Sequence, residues 1–285
     1  MTAGTFIAVH QHAIRLGAFL AVLALMGLWE AASPRRSPGA PKGLRWTNNL
    51  GIVVLNTALL RVLFPGATAA MAVFAAARGW GALNWLRPPP LAAAAIAIAS
   101  LDLTIYLQHV MMHAVPMLWR LHRVHHADLD FDVTTGVRFH PLEIVLSMLI
   151  KLAAIALIGA PVAAVVIFET LLNAAALFNH GNVRLPARAD RLLRLLVVTP
   201  EMHRVHHSIE EDETNSNFGF NLPWWDRLLG TYRAQPRAGQ EGMTIGITTF
   251  RDPRTCLWLP GMLTMPFVGE TREYALNRRP WRGRP

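Results

Sequence analysis

The sequence predicts an all-α integral membrane protein, a bundle of about four to five spanning helices under a cytosolic, histidine-rich helical cap. Three observations predict it. Of the 285 residues, 53% are hydrophobic and only 16% charged, against roughly a quarter charged in an ordinary soluble domain. The apolar residues fall in long runs, and mean hydropathy is +0.30. Ten of the twelve histidines lie between His109 and His207, grouped at or just beyond the ends of those runs.

The first run, Leu16–Trp29, is shorter than the roughly 20 residues a span needs. It crosses only with Ala13–Arg15 and Glu30–Ala32 at its ends. Its other reading is the apolar stretch of a signal peptide, with Ala31, Ala32 and Ser33 near the cleavage point. A Pro/Arg-rich linker, Ser33–Pro41, follows. Leu50–Ala77 is a second span, with Arg61 inside it and a Pro65-Gly66 pair that kinks it. Leu91–Val115 is a third. Leu142–Gly159 and Pro161–His180 are a fourth and fifth, joined in a tight hairpin at Gly159-Ala160-Pro161. The chain then turns polar. Arg191–Val198 reads as a surface helix and residues 200–285 as a membrane-proximal cap. Within the cap Cys256–Phe267, apolar but interrupted by prolines, docks at the interface instead of spanning. The chain thus divides into N-terminal helices and linker (1–90), a chemistry-bearing unit (91–270) and a tail (271–285).

Charge orients this bundle. Arg35, Arg36, Lys42 and Arg45 place loop 31–49 inside by the positive-inside rule. Counting spans forward, loop 114–141 and the C-terminal region face the same side, so every histidine group falls on one membrane face. The net charge of +9 is spread over inter-helix loops without a basic-plus-aromatic module. It therefore fits anionic lipid headgroups rather than nucleic acid. Cys256 is the only cysteine, which excludes intramolecular disulfides, thiolate-held clusters and four-cysteine zinc sites. Any metal must rest on nitrogen or oxygen ligands.

Spacing explains the histidine groups. His109 and His113 are four apart and share a helix face with Asp102 and Tyr106. The fifth span repeats the device with Glu169, Asn173 and His180. Intramembrane ionisable groups are costly and face a bundle interior or a cavity. Two HxxHH groups, His122-Arg-Val-His125-His126 and His203-Arg-Val-His206-His207, could each direct three imidazoles at one metal or a closely spaced pair. Without metal, such crowding leaves imidazoles short of partners or mutually repelling. His10 and His12 read as solvated, and His140 as structural or as a support for the ligands.

The stretches LWRLHRVHHADLDFDVTTGVRFHPLE, FNHGNVRLP, TPEMHRVHHSIEEDETNSNFGFNLPWWDRLLGTYR and FRDP resemble the fatty acid hydroxylase superfamily, also called the sterol desaturase family, over roughly Leu101 to Phe267. The resemblance implies about four membrane helices under a cytosolic cap and a histidine-held pair of iron ions. It also implies O2-dependent hydroxylation or desaturation of a lipid. Carried over by position, the ligands are His109, His113, His122, His125, His126, His180, His203, His206 and His207. Water, Asn182 or His140 would fill any further position. Asp102, Tyr106, Glu169, Asn173 and His140 are the candidates to orient them, while Asp128, Asp130, Asp132, Arg138, Glu201, Asn217 and Asp226 build the cap.

Imidazole alone also suits zinc, copper and nickel. A zinc-dependent membrane hydrolase using Glu201 or Glu169 as base, or a metal-transport protein, are therefore the competing readings. HExxH is absent, and ligands gathered at one face do not trace a crossing path. The chain has no glycine fingerprint for a dinucleotide, so an external reductase or small electron carrier is implied. The Ala/Arg-rich composition points to a bacterial inner membrane.

Overall fold

The computed structural model describes residues 6–7, 9–269 and Tyr274, so all but Tyr274 of the predicted tail lies outside it. Among the described residues, five stretches are long and apolar enough to cross a membrane: Gln11–Ala32, Lys42–Leu86, Pro90–Ala114, Pro141–Ile158 and Val162–Asn179. The chain is an integral membrane protein.

Helix α1 (Gln11–Ala32) packs along the last of these spans. The second stretch is not one kinked helix. Phe64-Pro65-Gly66 ends α2 (Lys42–Leu63) outright, with Gly66 in the left-handed region at φ 65°, before α3 (Ala67–Arg78) and the short α4 (Ala82–Leu86). Proline removes a helix donor and glycine accepts the positive φ, so the pair breaks the helix where sequence reading expects a bend. The first half of α2 lies against the cap. Arg45 pairs with Asp128 at 2.8 Å and Asp132 at 2.5 Å, and Asn49 donates to Thr134 at 3.0 Å.

Helices α5 (Pro90–Ala114), α7 (Pro141–Ile158) and α8 (Val162–Asn179) form the bundle core with α3. Ala72, Ala97, Ala154 and Ala164 are buried at their contacts beside Leu101, Ile155 and Phe168. Small residues let membrane helices approach closely where lipid supplies no hydrophobic drive. Proline opens α5, α7 and the cap helix α6 (Pro116–His126), a position where its missing N–H costs nothing. Gly159 ends α7 at φ 71°, making the expected hairpin into α8.

The opposite end gathers the C-termini of α5 and α8, the N-terminus of α7 and the linker. Pro34 bridges Val183, and Glu30 accepts the Val133 and Asn182 amides at 2.7 and 2.8 Å. The cap over this end is built of short helices: α9 (Ala187–Leu193), α10 (Pro200–His206), α11 (Glu211–Thr214) and α12 (Trp224–Leu228). Two more at Pro253–Leu257 and Leu259–Thr264 bury Cys256, Leu257 and Met262 in a core with Ile52, Trp119 and Phe250.

Candidate metal centre

All nine predicted histidines are buried where α5, α6, α8 and α10 meet, and they sort into two adjoining groups. His109, His113, His122, His126 and His206 form one. His125, His180, His203 and His207 form the other. Within each, one ring nitrogen per residue lies within 4.8 Å of all the rest.

Helix phase produces the sorting. In each HxxHH the residues four apart stay together and the one three along turns to the other group. His122 and His126 face one way with His125 the other, and His203 and His207 one way with His206 the other. One turn of helix thus feeds two neighbouring sites. Of the two arrangements the spacing leaves open, one metal or a closely spaced pair, the division between two groups is the second. Thr199 caps α10, its hydroxyl accepting the Met202 amide at 3.3 Å, with Pro200 in the first turn, a start signal that fixes the helix's phase.

Ring orientation is set from behind. His109 Nδ1 donates to the Phe218 carbonyl at 2.8 Å, His206 Nδ1 to the Ser216 carbonyl at 2.7 Å and His180 Nδ1 to the Ala176 carbonyl at 2.8 Å. His113 Nδ1 donates to Asn215 Oδ1 at 3.2 Å, and His122 Nδ1 to the Glu143 carboxylate at 2.6 Å. Each of these bonds leaves a lone pair on Nε2. The lone pairs then converge. Nε2 of His109 and of His122 lie 3.1 Å apart, although neither carries a proton to share. His180 Nε2 meets Nε2 of His125, His203 and His207 at 3.1–3.2 Å and can accept from only one of them. Nε2 of His113, His126 and His206 is buried with no hydrogen-bond partner among the described residues.

Protonation does not relieve this. Burial, then repulsion from neighbouring imidazoles, pushes His125, His126, His203 and His207 well below the ordinary value of 6.5. Burial brings His180 down to about 3. Facing lone pairs on neutral rings are what a cation resolves, and a neutral imidazole whose other nitrogen is hydrogen-bonded is the usual metal-binding form. The donor set fits two metal ions.

A model of the fatty acid hydroxylase family matches residues 94–231, a span that contains all nine histidines. These residues form a fatty acid hydroxylase domain. An ornithine lipid hydroxylase of Rhizobium tropici is 26% identical over 269 residues, covering 92% of this chain and 78% of the relative. Human alkylglycerol monooxygenase (Homo sapiens) is 28% identical over 159 residues, 54% of this chain but 34% of its own length. Cholesterol 25-hydroxylase of Rattus norvegicus is 22% identical over 144 residues, 50% of this chain and 47% of the relative. No solved structure matches.

Within this fatty acid hydroxylase domain, the residues expected to orient the ligands divide. Asp102 accepts Asn221 Nδ2 at 2.7 Å, Trp225 Nε1 at 2.8 Å and the Leu222 amide at 3.3 Å, so it anchors the cap segment that carries Phe218. Tyr106 packs edge-on against Phe218 and its hydroxyl meets Thr231 at 2.8 Å. Both act through that segment rather than on a ring. His140 caps α7, accepting the Leu142 amide and donating to the Leu263 carbonyl, both at 3.2 Å, which occupies both its nitrogens. Glu169 stands apart from the histidines, held by Arg15, by Lys151 at 2.8 Å and by Thr68 at 3.0 Å. Asn173 is exposed on α8. The last two correct the expected α8 stripe: despite helical spacing toward His180, Glu169 is claimed by these partners and Asn173 is exposed. Asn182 turns to the linker instead, bonding the Arg36 backbone at 3.0 and 2.8 Å.

Sequence reading missed Glu143, Asn215 and the Phe218, Ser216 and Ala176 carbonyls. Glu143 was findable, because a carboxylate opening an apolar span is costly unless it serves a partner. A backbone carbonyl leaves no mark in a sequence. The expected cap builders do meet. Asp226 accepts the Phe218 and Gly219 amides, each at 2.8 Å, and Arg138 donates to the Val124 carbonyl at 2.8 Å. Asn217, left-handed at φ 52°, ties Met202 to Arg233.

Proposed function

We propose that this protein is an O2-dependent diiron hydroxylase of a membrane lipid, working at the cytoplasmic face of a bacterial inner membrane. The observation that carries the reading is the pair of adjoining all-histidine clusters, five and four rings, buried at one end of a membrane bundle. His109, His113, His122, His126 and His206 would hold one iron, and His125, His180, His203 and His207 the other. Bound there, such a pair supplies reductive activation of O2 for attack on an unactivated C–H bond. The balanced change is R–H + O2 + 2 e⁻ + 2 H⁺ → R–OH + H2O. The electrons come from a separate reductase or small carrier.

The chain's own part is positional. The Nδ1 bonds of His109, His113, His122, His180 and His206 fix the direction of those rings, the caps fix helix phase, and aromatic rings exclude water. Phe139 stacks on His125 with centroids 4.5 Å apart, Phe131 on His180 at 5.5 Å, and Phe218 stands edge-on to His113 at 5.1 Å. The three relatives are named as two hydroxylases and a monooxygenase, which favours hydroxylation over desaturation. The hydrolase reading wants a free carboxylate beside the metals. Glu201 is instead paired with Arg35 at 2.6 Å, and Glu169 is paired in its own cluster.

The test uses the purified protein in detergent or nanodiscs with a reductant and a panel of membrane lipids that includes an aminolipid. Two irons per chain, O2 uptake and one oxygen atom added to a lipid are expected. Two zincs without O2 uptake would sink the proposal. His206→Ala is expected to lose one metal and all turnover.

A further inference from the structure

The cap is not confined to the space outside the bundle. Asp102 is the thirteenth of the 25 residues of α5, a helix about 37 Å long at 1.5 Å per residue. A helix crossing a hydrocarbon core about 30 Å thick keeps its midpoint inside that core. Trp225, Asn221 and the Leu222 amide bond this midpoint at 2.8, 2.7 and 3.3 Å. The cap segment 221–225 therefore sits at membrane depth.

Its neighbours are apolar and uncovered. Trp224, Leu228 and Leu229 are 43%, 74% and 55% exposed. Trp224 Nε1 donates to the Leu195 carbonyl at 2.6 Å, which brings in Leu192, Leu195 and Leu196, each more than half exposed. Charge follows the same plan. Arg188, Arg191 and Arg227 are exposed along this face, while both acids of the two segments, Asp190 and Asp226, are buried. Asp190 is held there by Arg194 at 2.7 Å and Thr199 at 2.6 Å. An apolar face edged by cations and lacking exposed acids matches a bilayer with anionic headgroups.

We propose that the apolar side chains of residues 192–197 and 224–229 form a lip of the cap inserted in the bilayer, with Arg188, Arg191 and Arg227 reaching the headgroups of an anionic leaflet. The lip is tied to α5 through the bonds that Asn221, Leu222 and Trp225 make to Asp102. It leads to the histidines, because the same segment carries Phe220, whose ring lies 6.1 Å from His109 and 6.1 Å from His203 between centroids. Its carbonyl accepts Asn179 Nδ2 at 3.0 Å, so the segment closes over both α5 and α8. The lip is where a chain leaving the bilayer first meets the centre. The inference depends on membrane embedding and not on the metal chemistry.

Variants Leu195→Cys and Leu228→Cys, with Ala238→Cys on the exposed edge as control, each made with the native Cys256→Ala so that one cysteine remains, are labelled with a small fluorophore. They are placed in nanodiscs containing phosphatidylglycerol, and metal content verifies the fold. Spin-labelled acyl chains are expected to quench positions 195 and 228 several-fold more than 238, and aqueous iodide to show the reverse order. Iodide quenching at 195 and 228 equal to that at 238 overturns the lip. Protection from both quenchers, the mark of a protein partner or second copy over the face, overturns it as well.

Discussion

Glu143 holds the Nδ1–H of His122 at 2.6 Å with both side chains buried, and among the described residues it is the carboxylate that bonds one of the nine histidines. A carboxylate behind an imidazole fixes its direction and raises its basicity toward a metal, and loss of such a partner costs roughly 10–100-fold in metal affinity or activity. Glu143→Ala is expected to fall in that range by iron titration and turnover. Glu143→Gln, whose amide oxygen still accepts, should fall less. Wild-type affinity in both would remove the role. Gly136 carries a second prediction. A Cβ there runs into the Ala176 carbonyl oxygen and stands 3.0 Å from His180 Nδ1. Since that carbonyl aims His180, Gly136→Ala is expected to lower iron from two per chain toward one, read by metal analysis. Two full irons would show that the backbone gives way.

At the scale of elements, the legible parts were those that periodicity encodes. The HxxxH at the end of α5 and the HxxHH pairs announce imidazoles on helix faces, and the apolar runs announce the spans. What stayed hidden depends on where a helix stops or what it packs against. Pro65-Gly66 breaks a span expected to bend, and Arg45 lays α2 on a cap that the sequence gives no reason to place there. Glu169 is the instructive case, because its spacing fits a stripe toward His180 while its charge is claimed by Arg15 on α1 and Lys151 on α7, beside Thr68 on α3. Four helices meet on one carboxylate within the membrane. Removing it leaves two cations uncompensated, a change costing about 3–5 kcal/mol for buried pairs. Glu169→Ala is therefore expected to lower the melting temperature while iron per folded chain stays at two. Loss of iron with unchanged melting would return Glu169 to the metal centre.

For the molecule as a whole, the centre is both the chemistry and a liability to folding. Burial depresses His125, His126, His203, His206 and His207 well below 6.5, and His180 to about 3. In the unfolded chain each titrates near 6.5. Above that value both states are neutral and the metal-free fold bears no proton penalty. Below it the unfolded chain takes up protons that the folded chain refuses, so stability falls with pH, at up to about 1.4 kcal/mol per pH unit for each histidine. The penalty for His180 keeps growing until pH reaches about 3. Metals bound only by the fold add stability and offset part of this loss until protons displace them. Scanning fluorimetry of the chelated protein in detergent is expected to show melting that drops steeply as pH passes below 6.5, with the iron-loaded protein melting higher and starting its decline at lower pH. A chelated protein whose melting is flat through that window would mean that the histidines take up protons while folded, and a cluster able to do so would not need metal to exist.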